Sequence, residues 1–225
     1  MSKRESLPPA LWSDFDGTAV KKYAIGHPFN ASKYPLPIMP GYVDFLDGFS
    51  DGGGIVRGVL TRRGNIRRPA TMRSLQKLGL ESRLMAFPGN VIHFNSDRGK
   101  AAHVLNDADH GTPRSSVSLI EDKPDVVGME MIDLLKTDEA GWINEAFVTI
   151  GAVNTVSQAK RIDNFESQAN HVDGVTVNRV DESTLAVTVG SSVVYTTALR
   201  PYTFEEGQNF ATLVQANADY LAEFQ

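Results

Sequence analysis

The feature that most constrains this chain is an acidic turn that follows a short apolar run near its start. The run Ala10-Leu11-Trp12-Ser13 leads directly into Asp14-Phe15-Asp16-Gly17-Thr18. An apolar run that stops at an acidic, glycine-containing turn predicts a buried strand whose end lies at a binding site. Residues two apart in a strand point to the same face, so the two aspartates can reach one ligand, and the glycine allows the chain to turn away.

Strand and helix patterns alternate along the first 150 residues. We predict strands at 10–13, 55–60, 82–87, 117–120 and 147–150, and helices at 41–51, 67–78, 100–105 and 126–135. This alternation is typical of a parallel sheet, in which right-handed crossovers bring the carboxyl ends of the strands to one edge. The predicted fold class is therefore α/β, a three-layer Rossmann-like parallel sheet, and the polar residues that follow the strands should converge.

Two segments fall outside this alternation. Residues 21–40 contain four prolines, which predicts a small turn-rich flap and not a helix or a folded cap. From residue 151 the pattern changes to a polar helix at 157–170, antiparallel strands at 175–177 and 185–189, a further strand at 193–198 and an amphipathic helix at 204–224. We therefore predict a core over 1–150 and an α+β extension over 151–225, which would act as a lid or as a homodimer contact.

Composition excludes several classes of site. The chain has 22 Lys and Arg against 27 Asp and Glu, a formal charge of −5, so it has no overall attraction to nucleic acid or to an anionic membrane. It contains no cysteine, which excludes disulfides, zinc-thiolate sites and thiol catalysis. The sequence has no run approaching the ~20 apolar residues of a membrane span and no apolar leader behind its first basic residues. We expect a soluble, cytoplasmic protein that does not contact a membrane.

The residues that follow the predicted strands suit a phosphate group. Phosphate monoesters resist hydrolysis because their negative oxygens repel nucleophiles, so catalysis depends on positioning and on charge neutralisation. Thr61 follows the second strand, Lys100 begins a helix and Asp122 follows the fourth strand. A hydroxyl and an ammonium group suit the phosphoryl oxygens, and carboxylates suit a hard cation such as Mg²⁺. With Asp14 and Asp16, these residues predict a Mg²⁺-dependent site for phosphoryl transfer.

These residues form four motifs, by which the chain resembles the haloacid dehalogenase (HAD) superfamily. The motifs are Asp14-Phe15-Asp16-Gly17-Thr18, then Thr61, then Lys100, then Glu121-Asp122, and the resemblance covers roughly the first two-thirds of the chain. It implies a HAD-type phosphatase with a minimal cap, in which Asp14 attacks phosphorus and forms an aspartyl-phosphate. Asp16 would protonate the leaving oxygen and then activate water, and its backbone carbonyl would join Asp14 and Asp122 around Mg²⁺.

The fourth motif departs from the family pattern and leaves one choice open. Glu121 precedes Asp122, and the next acid, Asp125, lies three residues further on where the family has one four residues on. Either Glu121 or Asp125 would support the metal site.

A finer resemblance to polynucleotide kinase 3′-phosphatase domains and acid phosphatases rests on Thr61-Arg62-Arg63 and on residues 121–127. It implies that Thr61, Arg62, Arg63 and Lys100 bind a phosphorylated substrate, either a small molecule or a nucleic-acid end. No P-loop motif is present, so a kinase activity is not implied.

A local excess of basic residues leaves a second function open. Eight Lys and Arg residues lie between 57 and 83, where Glu81 is the one acidic residue. This basic segment could bind a polyanion, or it could be a solvated surface neutralised by the acidic remainder of the chain. The alternative function is accordingly a catalytically silent HAD-fold module that binds nucleic acid or protein. The intact acidic and lysine motifs favour the enzyme.

Overall fold

The computed structural model describes residues 8–21, 37–63, 68–84, 91–93, 99–108, 116–137, 143, 145–153, 158–199 and 202–222. At its centre is one eight-stranded sheet in the order β3-β2-β1-β4-β5-β8-β7-β6. In chain order the strands are β1 (Ala10–Asp14), β2 (Ile55–Thr61), β3 (Val91–His93), β4 (Val117–Glu121), β5 (Phe147–Ala152), β6 (Val175–Arg179), β7 (Thr184–Val189) and β8 (Ser192–Ala198). The six strands from β3 to β8 are parallel, and β7 is antiparallel to both of its neighbours.

Helices cover both faces of this sheet. They are α1 (Tyr42–Asp51), α2 (Arg68–Lys77), α3 (Glu81–Leu84), α4 (Gly99–Ala108), α5 (Pro124–Lys136), α6 (Gln158–Ala169) and α7 (Phe204–Ala222). Residues of α4, α5 and α6 share one buried apolar cluster, and residues of α1, α2, α3 and α7 share another. Successive residues of β1 alternate between them, because Leu11 belongs to one cluster and Ala10 and Trp12 to the other. The chain is thus a three-layer α/β fold, as predicted.

The order of the strands creates a crevice between β1 and β4. The chain proceeds from β1 to β2 and β3 on one side of the sheet, and β4 and β5 lie on the other side. Ligands of open α/β sheets bind where the strand order reverses in this way, at the carboxyl ends. Asp14, Thr61 and Glu121 are the last residues of β1, β2 and β4, so the predicted site residues lie at this crevice.

One predicted strand is wrong. Residues 82–84, the described part of the predicted third strand at 82–87, belong to the helix α3 at Glu81–Leu84, and the strand that pairs with β2 is β3 at Val91–His93. The reason is the spacing of Leu80 and Leu84, which are both fully buried and are joined by an N–H to carbonyl hydrogen bond of 2.9 Å, a helical repeat. The residues of the predicted flap from 22 to 36 lie outside the described part of the chain.

Residues after 152 continue the same sheet and the same helix layers. β8 pairs in parallel with β5, the predicted hairpin of β6 and β7 is antiparallel, and α7 packs against α1. The two helices approach so closely at Gly48 that a Cβ there would lie 1.9 Å from the carbonyl oxygen of Phe204, which excludes any larger residue. The division into a core and an extension, and a lid or dimer role for the latter, stay predictions. Within the described residues, none of the helices combines the length and apolarity of a membrane span.

Candidate active site

A cavity of about 280 Å³ lies at the carboxyl ends of β1, β2 and β4. All seven residues that we predicted for catalysis, substrate binding or metal binding line it. The complete lining is Asp14, Asp16, Thr61, Arg62, Arg63, Lys100, Glu121, Asp122, Lys123 and Val127. Four carboxylates face four cations in this set, so their formal charges cancel.

Asp14 is buried at the end of β1 and is held through both carboxylate oxygens. The Lys100 ammonium donates to Oδ1 at 2.8 Å, and the Thr18 hydroxyl donates to Oδ2 at 3.2 Å. Burial and the neighbouring carboxylate of Glu121 raise the pKa of Asp14 to about 7, although Lys100 opposes them. The side chain therefore releases its proton near neutral pH in the metal-free protein.

Lys100, Asp14 and Glu121 together form the buried ion cluster. Lys100 is the second residue of α4, its side chain is 2 % exposed, and its ammonium also donates to Glu121 at 2.6 Å. Burial alone would lower the pKa of Lys100, but the two carboxylates raise it above its ordinary value. Burial likewise opposes ionisation of Glu121, yet Lys100 lowers the pKa of this carboxyl. Both shifts favour the charged forms of Lys100 and Glu121, so each charge in the cluster depends on its neighbours.

Three buried carboxylates form a candidate metal site beside this lysine. Asp14, Glu121 and Asp122 each offer one oxygen, and these oxygens lie within 4.8 Å of one another. Carboxylate oxygens are the ligands that hard divalent cations take in proteins, so the cluster could hold a metal ion. Coordination by the backbone carbonyl of Asp16 stays a prediction.

The structure gives Glu121 and Asp125, the two acids that could each support the metal site by sequence, different surroundings. Glu121 belongs to the carboxylate cluster, whereas Asp125 accepts a hydrogen bond from Arg161 of α6 at 2.8 Å and is itself buried. Pro124 begins α5, so Asp125 lies in the first turn of that helix. Of these two residues, Glu121 is therefore the one placed to support a metal.

Asp16 does not join the carboxylates but forms an ion pair with Arg63. Arg63 Nε donates to Asp16 Oδ2 at 2.6 Å, and Arg63 Nη2 donates to Asp16 Oδ1. The chain turns away at Gly17, whose φ of 93° favours glycine and whose N–H donates to the carbonyl of Val20 at 2.8 Å. The predicted turn is confirmed, and it carries Asp16 to the arginine.

The other predicted phosphate ligands also have partners. The hydroxyl of Thr61, which is buried at the end of β2, accepts a hydrogen bond from the backbone N–H of Arg63 at 3.3 Å. Arg62 pairs with Glu130 of α5.

Two more arginines of the basic segment contact acids from elsewhere in the chain, at 3.9 Å for Arg57 and Asp107 and at 2.8 Å for Arg83 and Asp47. Half of the eight basic residues of this segment therefore lie beside carboxylates in the described structure.

Sequence reasoning missed the groups that fix the loop after β1. Tyr42 of α1 donates to the hydroxyl of Ser13 at 2.7 Å, and Ser13 donates to the carbonyl of Asp14 at 2.7 Å. Tyr202, just before α7, donates to the carbonyl of Thr18 at 3.3 Å. No local pattern marks either tyrosine, because both contacts join residues that are far apart in the chain.

We compared the chain with known protein families, proteins and structures. No protein-family model, curated protein or solved structure matches the chain. Any functional conclusion therefore depends on the chemistry of the cavity.

Proposed function

We propose that this chain is a Mg²⁺-dependent phosphohydrolase of HAD-like fold that cleaves phosphate monoesters through an aspartyl-phosphate intermediate. The observation that carries the proposal is the environment of Asp14. This buried carboxylate lies at the carboxyl end of the first strand, within one cluster with Asp122 and Glu121 and in contact with Lys100. This arrangement supports the proposal because a carboxylate suited to attack phosphorus, further oxygen donors for a cation and a positive charge line one cavity.

The donor set fits Mg²⁺. Asp14 and Asp122 would hold the ion through carboxylate oxygens, with the backbone carbonyl of Asp16 as a further proposed ligand and Glu121 beside them. When bound, Mg²⁺ would neutralise charge on the phosphate oxygens and favour the ionised form of Asp14.

In the first proposed step, a carboxylate oxygen of Asp14 forms a bond to phosphorus as the bond from phosphorus to the leaving oxygen breaks. Asp16 gives its proton to the leaving oxygen. In the second step a water oxygen attacks phosphorus, Asp16 takes the proton of that water, and the bond between phosphorus and Asp14 breaks. Lys100 stays beside Asp14 throughout and offsets the charge on the phosphoryl oxygens.

The charge of the cavity favours joint binding of metal and substrate. When Asp14 is ionised, the four carboxylates of the cavity cancel its four cations, so a phosphate dianion alone gains little net attraction. A dication and a dianion that enter together leave the balance unchanged. We therefore expect phosphate to bind weakly without Mg²⁺ and to bind far more tightly with it.

A panel of phosphorylated compounds tests which class of substrate the protein cleaves. Oligonucleotides with a 3′-phosphate or a 5′-phosphate, free nucleotides and sugar phosphates should be compared at equal concentration. Preferred cleavage of an oligonucleotide end would support the predicted nucleic-acid substrate, and preferred cleavage of a sugar phosphate would replace it with a small molecule. The alternative of a silent binding module gains less support from the basic segment than its eight charges suggest, since half of them lie beside carboxylates.

The proposal itself is tested with p-nitrophenyl phosphate. The protein should release phosphate in the presence of Mg²⁺, and EDTA or the substitution Asp14→Asn should abolish release. Asp47→Asn is the matched control, because it removes an exposed carboxylate that also pairs with an arginine. Failure of the folded, Mg²⁺-loaded protein to release phosphate from p-nitrophenyl phosphate and from every member of the panel would refute the proposal.

A further inference from the structure

Arg63 is fixed by contacts on three sides. Its guanidinium donates to both oxygens of Asp16, at 2.6 Å from Nε and also from Nη2, and Nη1 donates to the hydroxyl of Thr71 at 3.2 Å. The guanidinium carbon lies 4.6 Å from the centre of the Phe15 ring. Its side chain is only 10 % exposed, although it lines the cavity. An arginine so held has one orientation, and three of its five N–H donors are used, including the fork of Nε and Nη2 that pairs with Asp16.

In the described structure Asp16 occupies the fork formed by Nε and Nη2 of Arg63. Carboxylate and phosphate groups both match the paired N–H donors of a guanidinium, so they compete for the same donors. If Arg63 binds the substrate phosphate through this fork, it must release Asp16. As long as Asp16 is held, its orientation is set by Arg63 and not by a leaving oxygen or a water molecule.

Among the cavity cations, Arg63 can exchange its partner at a lower cost than Lys100. Lys100 lies between two carboxylates whose side chains are 8 % and 3 % exposed, and to leave them would strand buried charges. Asp16 is 33 % exposed, so water can solvate its carboxylate once Arg63 departs. A phosphate that enters the cavity is therefore expected to draw Arg63 before it draws Lys100.

We propose that Arg63 exchanges partners when a phosphate dianion binds: it holds Asp16 in the resting protein, moves to the phosphate, and so frees Asp16 to face the reacting oxygens. This inference rests on the proposed phosphohydrolase function and adds a link between substrate binding and the availability of Asp16. The exchange makes no covalent bond, and the proton that Asp16 gives to the leaving oxygen in the proposed reaction comes from solvent and not from Arg63. It predicts that Asp16 and phosphate compete for one guanidinium.

The test is a double-mutant cycle on the binding of inorganic phosphate in excess Mg²⁺, measured by calorimetry. Asp16→Asn removes the competitor, so it should tighten phosphate binding by at least about fivefold, a coupling of the size found for directly interacting groups. Arg63→Ala should weaken binding, and Asp16→Asn should then give little or no gain. Arg63→Lys, which keeps the charge but lacks the fork, should also lose most of the gain and guards against a folding defect in the alanine variant.

The results of the cycle distinguish competition for Arg63 from a simple loss of negative charge at Asp16. A gain of equal size in the Arg63→Ala background would show that Asp16→Asn acts only by removing negative charge, and it would overturn the proposal. No gain in the wild-type background, or no phosphate binding at all, would also overturn it. Asp47→Asn, which frees Arg83 in an exposed pair, should leave phosphate affinity unchanged. The cycle measures phosphate binding, so it tests the exchange of partners even if the protein turns over no phosphoester. Absence of turnover would instead refute the proposed function.

Discussion

Two ion clusters in this chain have the same composition, one cation between two carboxylates, but differ in burial. In the buried ion cluster the lysine is 2 % exposed, whereas in the surface ion cluster Arg179 is 31 % exposed and lies between Asp163 and Glu166. Solvent screens the surface cluster, so its charges contribute little to stability. The charges of the buried cluster have lost their water and depend on one another, and a well-packed apolar replacement would often be as stable. We infer that the buried cluster serves chemistry and that the surface cluster does not.

The largest expected effect comes from removing the buried cation. Lys100→Met should leave Asp14 and Glu121 as adjacent buried carboxylates and lower the free energy of unfolding by about 3–5 kcal/mol, as when one partner of a buried ion pair is lost. Urea denaturation of the metal-free protein at neutral pH measures this. A loss below about 1 kcal/mol, the range of surface pairs, would contradict the comparison.

Mg²⁺ should stabilise the protein through the candidate metal site, which shares Asp14 and Glu121 with the buried ion cluster and adds Asp122. At a concentration one hundred times its dissociation constant, a ligand that binds only the folded state adds about 2.7 kcal/mol, which a rise in melting temperature reports. Asp122→Asn should remove most of this rise, and the control Asp163→Asn in the surface cluster should leave it intact. If both substitutions act alike, the metal does not bind at the candidate site.

The raised pKa of Asp14 gives a pH dependence with a definite sign. Its folded-state pKa of about 7 exceeds its ordinary value of 3.8, so the folded metal-free protein retains a proton that the unfolded chain loses. Stability should therefore fall as pH rises toward about 7 and then level off. The lowered pKa of Glu121 acts in the opposite sense, but only below its ordinary value of 4.5.

Mg²⁺ competes with that proton, and its affinity should rise over the same range by at most about tenfold per pH unit. Calorimetric titration from about pH 5 to about pH 8 measures the trend. Asp14→Asn should flatten the stability profile of the metal-free protein in this range. A wild-type profile that is already flat would show that Asp14 titrates elsewhere.

The smallest expected effect belongs to the surface cluster. Arg179→Gln should change the free energy of unfolding by about 0.2–1 kcal/mol, the range of exposed pairs, and should leave Mg²⁺ affinity and phosphate release unchanged. Urea denaturation and the p-nitrophenyl phosphate assay check both statements. A larger loss, or any loss of Mg²⁺ affinity, would mean that exposure does not separate the two clusters.

Local pattern predicted most of the sheet and the convergence of the site. β1, β2, β4 and β5 each coincide with an apolar run that ends at a polar or small residue, so the positions of Asp14, Thr61 and Asp122 could be predicted from the sequence. The third strand could not, because the run at 82–87 contains Leu84, which continues the helical repeat from Leu80.

Contacts between distant segments were beyond sequence reasoning. The ion pair of Asp16 and Arg63 joins residues that are 47 positions apart, and the contact of Tyr202 with the loop after β1 spans 184 positions. The choice of Glu121 over Asp125 depended on Arg161, which belongs to a helix of the predicted extension. Sequence thus indicated which residues meet at the crevice, but the pairing of their charges depended on the folded structure.

Chemical trapping can show whether Asp14 carries the phosphoryl group during the proposed reaction. The protein should be mixed with p-nitrophenyl phosphate and Mg²⁺, quenched in acid and treated with borohydride, which reduces an aspartyl-phosphate to homoserine. Peptide mass spectrometry should find homoserine at position 14, only when substrate and Mg²⁺ are both present. Phosphate release without this conversion, or conversion at another acidic residue, would contradict the account.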